Sequence, residues 1–220
     1  MGIYQIAIVG PSGAGKSTIA RMLAERLGIA YLDTGAMYRA CALHMLDKNI
    51  SLEDERRVAE ELPNIDMGII FENGAQKMFV SGKDVSERIR EHHMSKAASD
   101  VSALPAVRYK MVELQRAFAA SHDVVLDGRD ICLHVLPDAR YKFFLTASAN
   151  ERAKRRAAEL AQKGKQVNFE TVLADINDRD YNDMHRAASP LVQAPDAVLV
   201  DSTNMTLEQV LDYMLSFIEE

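Results

Sequence analysis

The segment Gly10-Pro11-Ser12-Gly13-Ala14-Gly15-Lys16-Ser17 constrains this chain more than any other. It closes residues 5–10 (QIAIVG), a short and almost wholly apolar run of the kind buried on both faces of a parallel sheet. It opens a stretch in which Ile19, Ala20, Leu23 and Leu27 recur at helical spacing before Gly28 stops the helix. A G-x-x-x-x-G-K-S turn between a strand and a helix is a phosphate cradle. Gly13 and Gly15 permit backbone turns closed to other residues, so the free N–H groups of the loop and helix start face an anion. Lys16 brings a point charge to the terminal phosphates of ATP, and the Ser17 hydroxyl faces Mg²⁺ or its water shell. Gly10, Pro11, Ser12, Gly13, Ala14, Gly15, Lys16, Ser17 and Thr18 are therefore the expected ATP-binding residues, with Ser17 at the metal. A chance glycine-rich turn would not be expected between these two flanks.

The rest of the chain extends the pattern. Further strands are expected at 30–32, 124–126, 142–145 and 197–200, and helices at about 169–186 and 207–218. Alternating strands and helices imply an α/β fold with a five-stranded parallel sheet covered by helices. One stretch breaks the alternation: 66–71 and 77–80 read as strands joined through Asn73-Gly74, a hairpin signal. A small antiparallel β insertion at about 61–104 follows. Residues 147–167 turn helical and basic with a break at Gly164, which suits a lid, taken to run over about 151–186. The core is left with about 1–60, 105–150 and 187–220, within one domain of 220 residues.

Composition bounds the partners. A net charge of −6 repels nucleic-acid duplexes and anionic membranes, so an anionic ligand needs a local basic cluster. The chain begins directly on an apolar strand without a basic leader, and no apolar run reaches the length of a membrane span, so a soluble cytoplasmic protein is expected; a monomer is expected as well. Cys41 and Cys132 form no C-x-x-C pair and read as reduced, buried thiols. The six histidines, His44, His92, His93, His122, His134 and His185, read as structural or surface residues.

Four segments bear on the acceptor. The strand at 124–126 ends in Asp127-Gly128-Arg129-Asp130, where a carboxylate facing Mg²⁺ belongs in this architecture; the plainer alternative is a polar turn. Asp33-Thr34-Gly35-Ala36-Met37-Tyr38-Arg39 follows the second strand at the same sheet edge, with Thr34 placed to cap a helix and Arg39, one turn later, either a solvated side chain or, beside the phosphate site, a grip on a second phosphate. Arg179, Asp183 and Arg186 share one helical face, and so do Arg152, Arg155 and Arg156. Each set is either a solvated salt-bridge ladder or a charge-neutralising wall around a transferring phosphoryl group.

Taken in order, GPSGAGKST, LDTGAMYRA, the hairpin ending in Gly82-Lys83-Asp84-Val85-Ser86, AASDVSALPAVR, DGRD, VLPDA, VNFE and RDYNDMHRAASPLV resemble the bacterial-type cytidylate kinases, over essentially the whole chain. The resemblance implies ATP-dependent phosphorylation of CMP and dCMP with Mg²⁺. It puts ATP on residues 10–18 with a lid arginine, Arg155, and makes Lys16, Arg129 and Arg186 catalytic. It places the acceptor phosphate on Arg39, Arg129 and Arg186, and the cytosine on Ser99, Arg108 and Asp130. The ribose falls to Asp183, while Thr34, Tyr38 and Arg179 complete the substrate side. Two departures stand out. Ile131-Cys132-Leu133-His134 replaces the Ile-Gly-Thr usual after DGRD, and Asn182 and Met184 stand where basic residues are common. The rivals are a P-loop kinase for another nucleotide or a small metabolite, and a nucleotide-dependent switch. A GTPase would need an N-K-x-D segment, which the sequence lacks.

Overall fold

The computed structural model describes residues 4–72, 75–91, 93–162, 164 and 167–218. Strand β1 (Gln5–Val9) leads through the glycine-rich loop into α1 (Lys16–Leu27), and β2 (Ala30–Asp33) runs directly into α2 (Thr34–Asp47). After α3 (Glu55–Glu61) come β3 (Met67–Glu72), β4 (Ala75–Val80) and β5 (Lys83–Asp84), then α4 (Met94–Ser102) and α5 (Pro105–Ala119). Strands β6 (Val124–Gly128) and β7 (Tyr141–Thr146) precede the helix pair α6 (Ala149–Gln162) and α7 (Phe169–His185). The chain returns through β8 (Val198–Asp201) to α8 (Leu207–Leu215).

Five strands pair in parallel in the order β2-β6-β1-β7-β8. Period-two alternation on the inner strands explains why both faces are covered. Ile6, Ile8, Val125, Phe143 and Leu145 pack with Ile19 and Leu23 of α1 and Leu211 and Met214 of α8. Their neighbours Ala7, Val9, Val124 and Leu126 pack on the opposite face with Met37 and Met45 of α2, Val101 of α4 and Met111 of α5. The register pairs Val9 with Gly128 and Asp33 with Asp127. The phosphate loop, the start of α2 and the DGRD turn therefore leave the sheet at one edge, the carboxyl end where α/β sheets bind ligands.

Strands β3, β4 and β5 form a separate antiparallel sheet, as the hairpin pattern predicts; its expected turn, Asn73-Gly74, lies outside the described residues, as do the first three residues and His92. Helices α6 and α7 hold a small core of their own, built on Ala153, Leu160, Val172 and Ile176. Several expected boundaries move by one to three residues: the last strand begins at Val198, the last helix ends at Leu215, and Arg186 sits just past α7 in extended backbone. Cys41 and Cys132 are free and buried, and burial pushes each thiol up to about 12. The segment Ile131–Val135, where the sequence departs from Ile-Gly-Thr, forms a single π-helical turn in which the buried Cys132 thiol points at the Ala7 carbonyl, 3.7 Å away. Among the described residues no helix is long and apolar enough to cross a membrane.

Candidate active site

The phosphate loop takes the conformation that its glycines permit. Gly13 and Gly15 have φ of 75° and 88°, and Gly10 has 153°. A Cβ on Gly10 would stand 1.9 Å from the Leu145 carbonyl oxygen, so that position needs glycine for space as well as for torsion. Lys16 is buried and folds back to donate from Nζ to the Pro11 carbonyl at 2.7 Å. Burial pushes its amine well below the ordinary lysine range; Arg129 adds to this, while Asp127 and Asp183 oppose it.

Both backbone polar groups of Ser12 are held by the helix pair. Arg152 of α6 donates to the Ser12 carbonyl at 2.9 Å, and the Asp180 carboxylate of α7 accepts from the Ser12 N–H at 3.2 Å. Arg152 and Asp180 are themselves ion-paired at 2.6 Å and almost fully buried. The helical spacing alone places Arg152 on a solvated or lid-facing side with Arg155 and Arg156. It is instead turned inward, because a guanidinium with three inward partners, the third being the Ala147 carbonyl at 2.8 Å, does not return to water.

Asp127 closes the far side of the loop. Its two oxygens accept from the Ser17 hydroxyl at 2.9 Å and the Tyr31 hydroxyl at 2.8 Å. Burial, and next the Asp33 carboxylate, push Asp127 above the ordinary carboxylate range, and Lys16 pulls the other way. A serine hydroxyl beside one carboxylate and within the field of another is an all-oxygen donor set. That suits Mg²⁺, which binds through one or two carboxylates together with substrate phosphates and water.

Thr34 does not cap α2. Asp33 is the cap, its Oδ1 accepting from Ala36 N at 2.8 Å, and the Thr34 hydroxyl instead donates to the Asp127 carbonyl at 2.5 Å. The threonine follows the cap by one residue, so its side chain is free to cross to β6. The other carboxylate oxygen of Asp33, Oδ2, accepts from Arg39 Nη2 at 3.0 Å.

Beyond Asp33 and Asp127 lies a wall of arginines. Arg129 donates from Nε to Asp183 Oδ2 at 2.6 Å, and Arg186 Nη1 stands 3.6 Å from the other Asp183 oxygen. Arg108 is ion-paired with Asp130, and its guanidinium lies over the Tyr38 ring at 5.8 Å. Arg179 is half-buried, and burial lowers its pKa, with Arg129 the next cause. The charges of Tyr38, Arg108, Asp130, Asp183 and Arg186 act on one another, so these residues form one cluster. In this cluster three buried atoms have no partner among the described residues, Tyr38 Oη, Arg108 Nε and Arg186 Nη2, and so does Nε of Arg39, the residue after Tyr38 in α2. Buried donors are normally satisfied, so three guanidiniums and a phenol without partners leave hydrogen-bonding capacity here that the described residues do not use.

Two expected residues lie apart from this cluster. Ser99 presents its carbonyl to the Ser102 hydroxyl at 2.9 Å, one helical turn from the Ser102 carbonyl that Arg108 Nη1 reaches at 3.2 Å. Arg155 binds Glu151 at 3.1 Å and the Ser202 carbonyl at 2.7 Å, beside the loop after β8. Tyr31, Asp180 and Gln76 belong to the site's framework without any motif to mark them. Their partners lie 96, 168 and 43 positions away along the chain, so local pattern carries no trace of them.

A parallel sheet in this strand order, with a phosphate loop after its central strand and arginines converging on that loop, defines a P-loop kinase. Comparison with known proteins narrows the class: the cytidylate kinase family model matches residues 6–220, and the chain belongs to that family. It is 50% identical over 208 residues to the cytidylate kinase of Caldanaerobacter subterraneus subsp. tengcongensis, covering 94% of this chain and 91% of that one. It is 49% identical over 210 residues to that of Caldicellulosiruptor saccharolyticus, covering 96% and 93%. Among solved structures, an uncharacterized protein from Eubacterium ventriosum superposes with a TM-score of 0.55 at 15% identity, over 98% of this chain and 97% of that one, a likeness of fold alone.

Proposed function

We propose that this chain transfers the γ-phosphoryl group of ATP to the 5′-phosphate of CMP or dCMP, acting as a monomer in the cytoplasm. The observation that supports this reading is that the phosphate loop, the Asp33 turn with Arg39 bound to it, and the Asp127–Asp130 turn with Arg129 and the Arg108–Asp130 pair all stand at one carboxyl edge of the parallel sheet. In this reading ATP lies on residues 10–18, with Arg155 on its far side next to Ser202. The antiparallel sheet with α4 and the start of α5 covers the acceptor nucleotide, and α6 and α7 act as the lid.

The acceptor phosphate is held by Arg39, Arg129 and Arg186, with Thr34 and Arg179 beside them. Arg108, Asp130 and Ser99 read the cytosine edge, which presents both a donor and acceptors. Asp183 accepts from a sugar hydroxyl. A nucleoside 5′-phosphate is already an oxyanion, so no general base is needed. Lys16, Arg129 and Arg186 hold the two phosphates in line and stabilise the charge that spreads over the transferring group. Ser17 and Asp127 would hold Mg²⁺, which when bound neutralises charge between the phosphates. A coupled assay across nucleoside monophosphates tests the reading. Turnover of CMP and dCMP far above AMP, GMP and shikimate is expected; equal turnover of AMP, or none of CMP, would overturn it.

A further inference from the structure

Strand β4 carries one residue that breaks its own pattern. In the antiparallel register Ile69 faces Met78 and Phe71 faces Gln76. Alternation therefore puts Gln76, Met78 and Val80 on one face, and Lys77 and Phe79 on the other. Met78 and Val80 are buried in the main core, with Met67 and Ile69 of β3 packed against it. Phe71 meets the Phe118 ring of α5 at 5.6 Å. Gln76 is thus an amide in an otherwise apolar row, and such a break in binary pattern asks for a specific partner.

The partner is the backbone of Asp33. Gln76 Oε1 accepts from the Asp33 N–H at 2.7 Å, and Nε2 lies 3.5 Å from the Asp33 carbonyl and 2.9 Å from Met78 Sδ. Among the described residues strand β2 is an edge strand with β6 as its sheet neighbour, so its outer amides have no ladder partner. The glutamine supplies one at the residue where β2 ends and α2 begins. The same Asp33 caps α2 and holds Arg39 with its side chain.

We infer that Gln76 is a positioning residue for the acceptor phosphate: it fixes Asp33, and through Asp33 sets Arg39, against the antiparallel sheet. The inference rests on the reading of Arg39 as an acceptor-phosphate ligand. Gln76 touches no reacting group. Its action runs only through Asp33, which links the sheet lying over the acceptor to the arginine that grips it.

The test is the affinity of CMP, measured by titration calorimetry on the whole protein, together with steady-state KM values for CMP and ATP. Gln76→Met keeps the length of the side chain and removes both hydrogen bonds; Gln76→Leu serves if the methionine variant does not fold. The loss of one net hydrogen bond at the site corresponds to about a three- to tenfold weaker CMP affinity. The KM for ATP is expected to stay unchanged. In an Arg39→Ala background the same substitution is expected to have little further effect on CMP binding, because its route has been removed. Full additivity with Arg39→Ala, equal losses for ATP and CMP, or a lower melting temperature with unchanged CMP affinity would each overturn the inference. Failure of the wild-type protein to bind CMP would overturn the functional reading first, and this inference with it.

Discussion

Arg129, just past the end of β6, and Asp183, near the end of α7, are joined by a 2.6 Å hydrogen bond from Nε to Oδ2 that ties the sheet edge to the helix pair. Burial pushes the Asp183 carboxyl up, but Arg129, then Arg186 and Arg179, together hold it below the ordinary carboxylate range. The sign of the pH dependence follows. The folded state holds the Asp183 proton less tightly than the unfolded state, so this pair stabilises above the unfolded pKa, and the contribution is lost as pH falls through the folded one. Asp183→Asn has no carboxylate to protonate. Its unfolding free energy is expected to fall less steeply than wild type below about pH 4. Denaturant titrations from pH 7 downward check this, and parallel acid limbs in the two proteins would show that the pair carries no such linkage.

How much of this site is legible in the sequence depends on how local its signals are. The loop at residues 10–17 is contiguous, and its strand, turn and helix all appear as its spacing demands. Arg129 and Asp130 come within three residues of Asp127, so one apolar strand locates all three. The buried positions of Arg152 and Asp180 are not legible, because an arginine that solvates a helix and one that clamps a loop read alike in sequence. The cap of α2 falls one residue before Thr34: Asp33 and Thr34 are both good caps, and only the helix start distinguishes them. Gln76 shows in the sequence only as a polar break in an apolar row; its partner, Asp33, is not legible because the hydrogen bonds join two different sheets.

Lys16→Ala is expected to abolish turnover while the protein still folds. The amine is bonded to the Pro11 carbonyl here, and its burial is a cost that alanine does not carry. Removing one charge from the transferring group corresponds to roughly 10²–10³ in rate. Single-turnover kinetics alongside a thermal melt separate the two effects. A folded variant with near wild-type activity would mean that the loop does not cradle the transferred phosphate.

Arg186→Ala and Asp183→Ala should diverge. Arg186 has a buried Nη2 without a partner among the described residues, while its Nε is taken up by the Ser189 carbonyl at 2.8 Å and its Nη1 stands 3.6 Å from Asp183, so the guanidinium is anchored with one nitrogen left unpaired. Loss of a charge-assisted bond to the acceptor phosphate should lower kcat/KM for CMP by about ten- to a hundredfold, with little change in the KM for ATP. Asp183→Ala should instead shrink any preference for CMP over dCMP, since a hydroxyl-reading group matters only where the hydroxyl exists. A solvated salt-bridge ladder predicts unchanged kinetics in both variants and at most about 1 kcal/mol of stability. Steady-state rates on both substrates decide between them.

The clamp on Ser12 yields the last prediction. Arg152 and Asp180 are buried together, and each also holds one backbone group of Ser12. Replacing Asp180 with alanine leaves a buried guanidinium without its counter-charge, which typically costs about 3–5 kcal/mol. At roughly 2–4 °C per kcal/mol for a chain of this size, the melting temperature should drop by on the order of 10 °C. The freed Ser12 N–H and a displaced Arg152 should also loosen the phosphate loop, so the KM for ATP should rise while that for CMP changes less. The double variant Arg152→Met with Asp180→Leu separates the two roles. It removes both charges and should recover much of the melting temperature, because an apolar pair of similar volume does not carry the desolvation cost. It cannot hold the Ser12 backbone, so the raised KM for ATP should persist. Recovery of both properties together would mean that the ion pair only fills space between α6 and α7, with no part in shaping the phosphate loop.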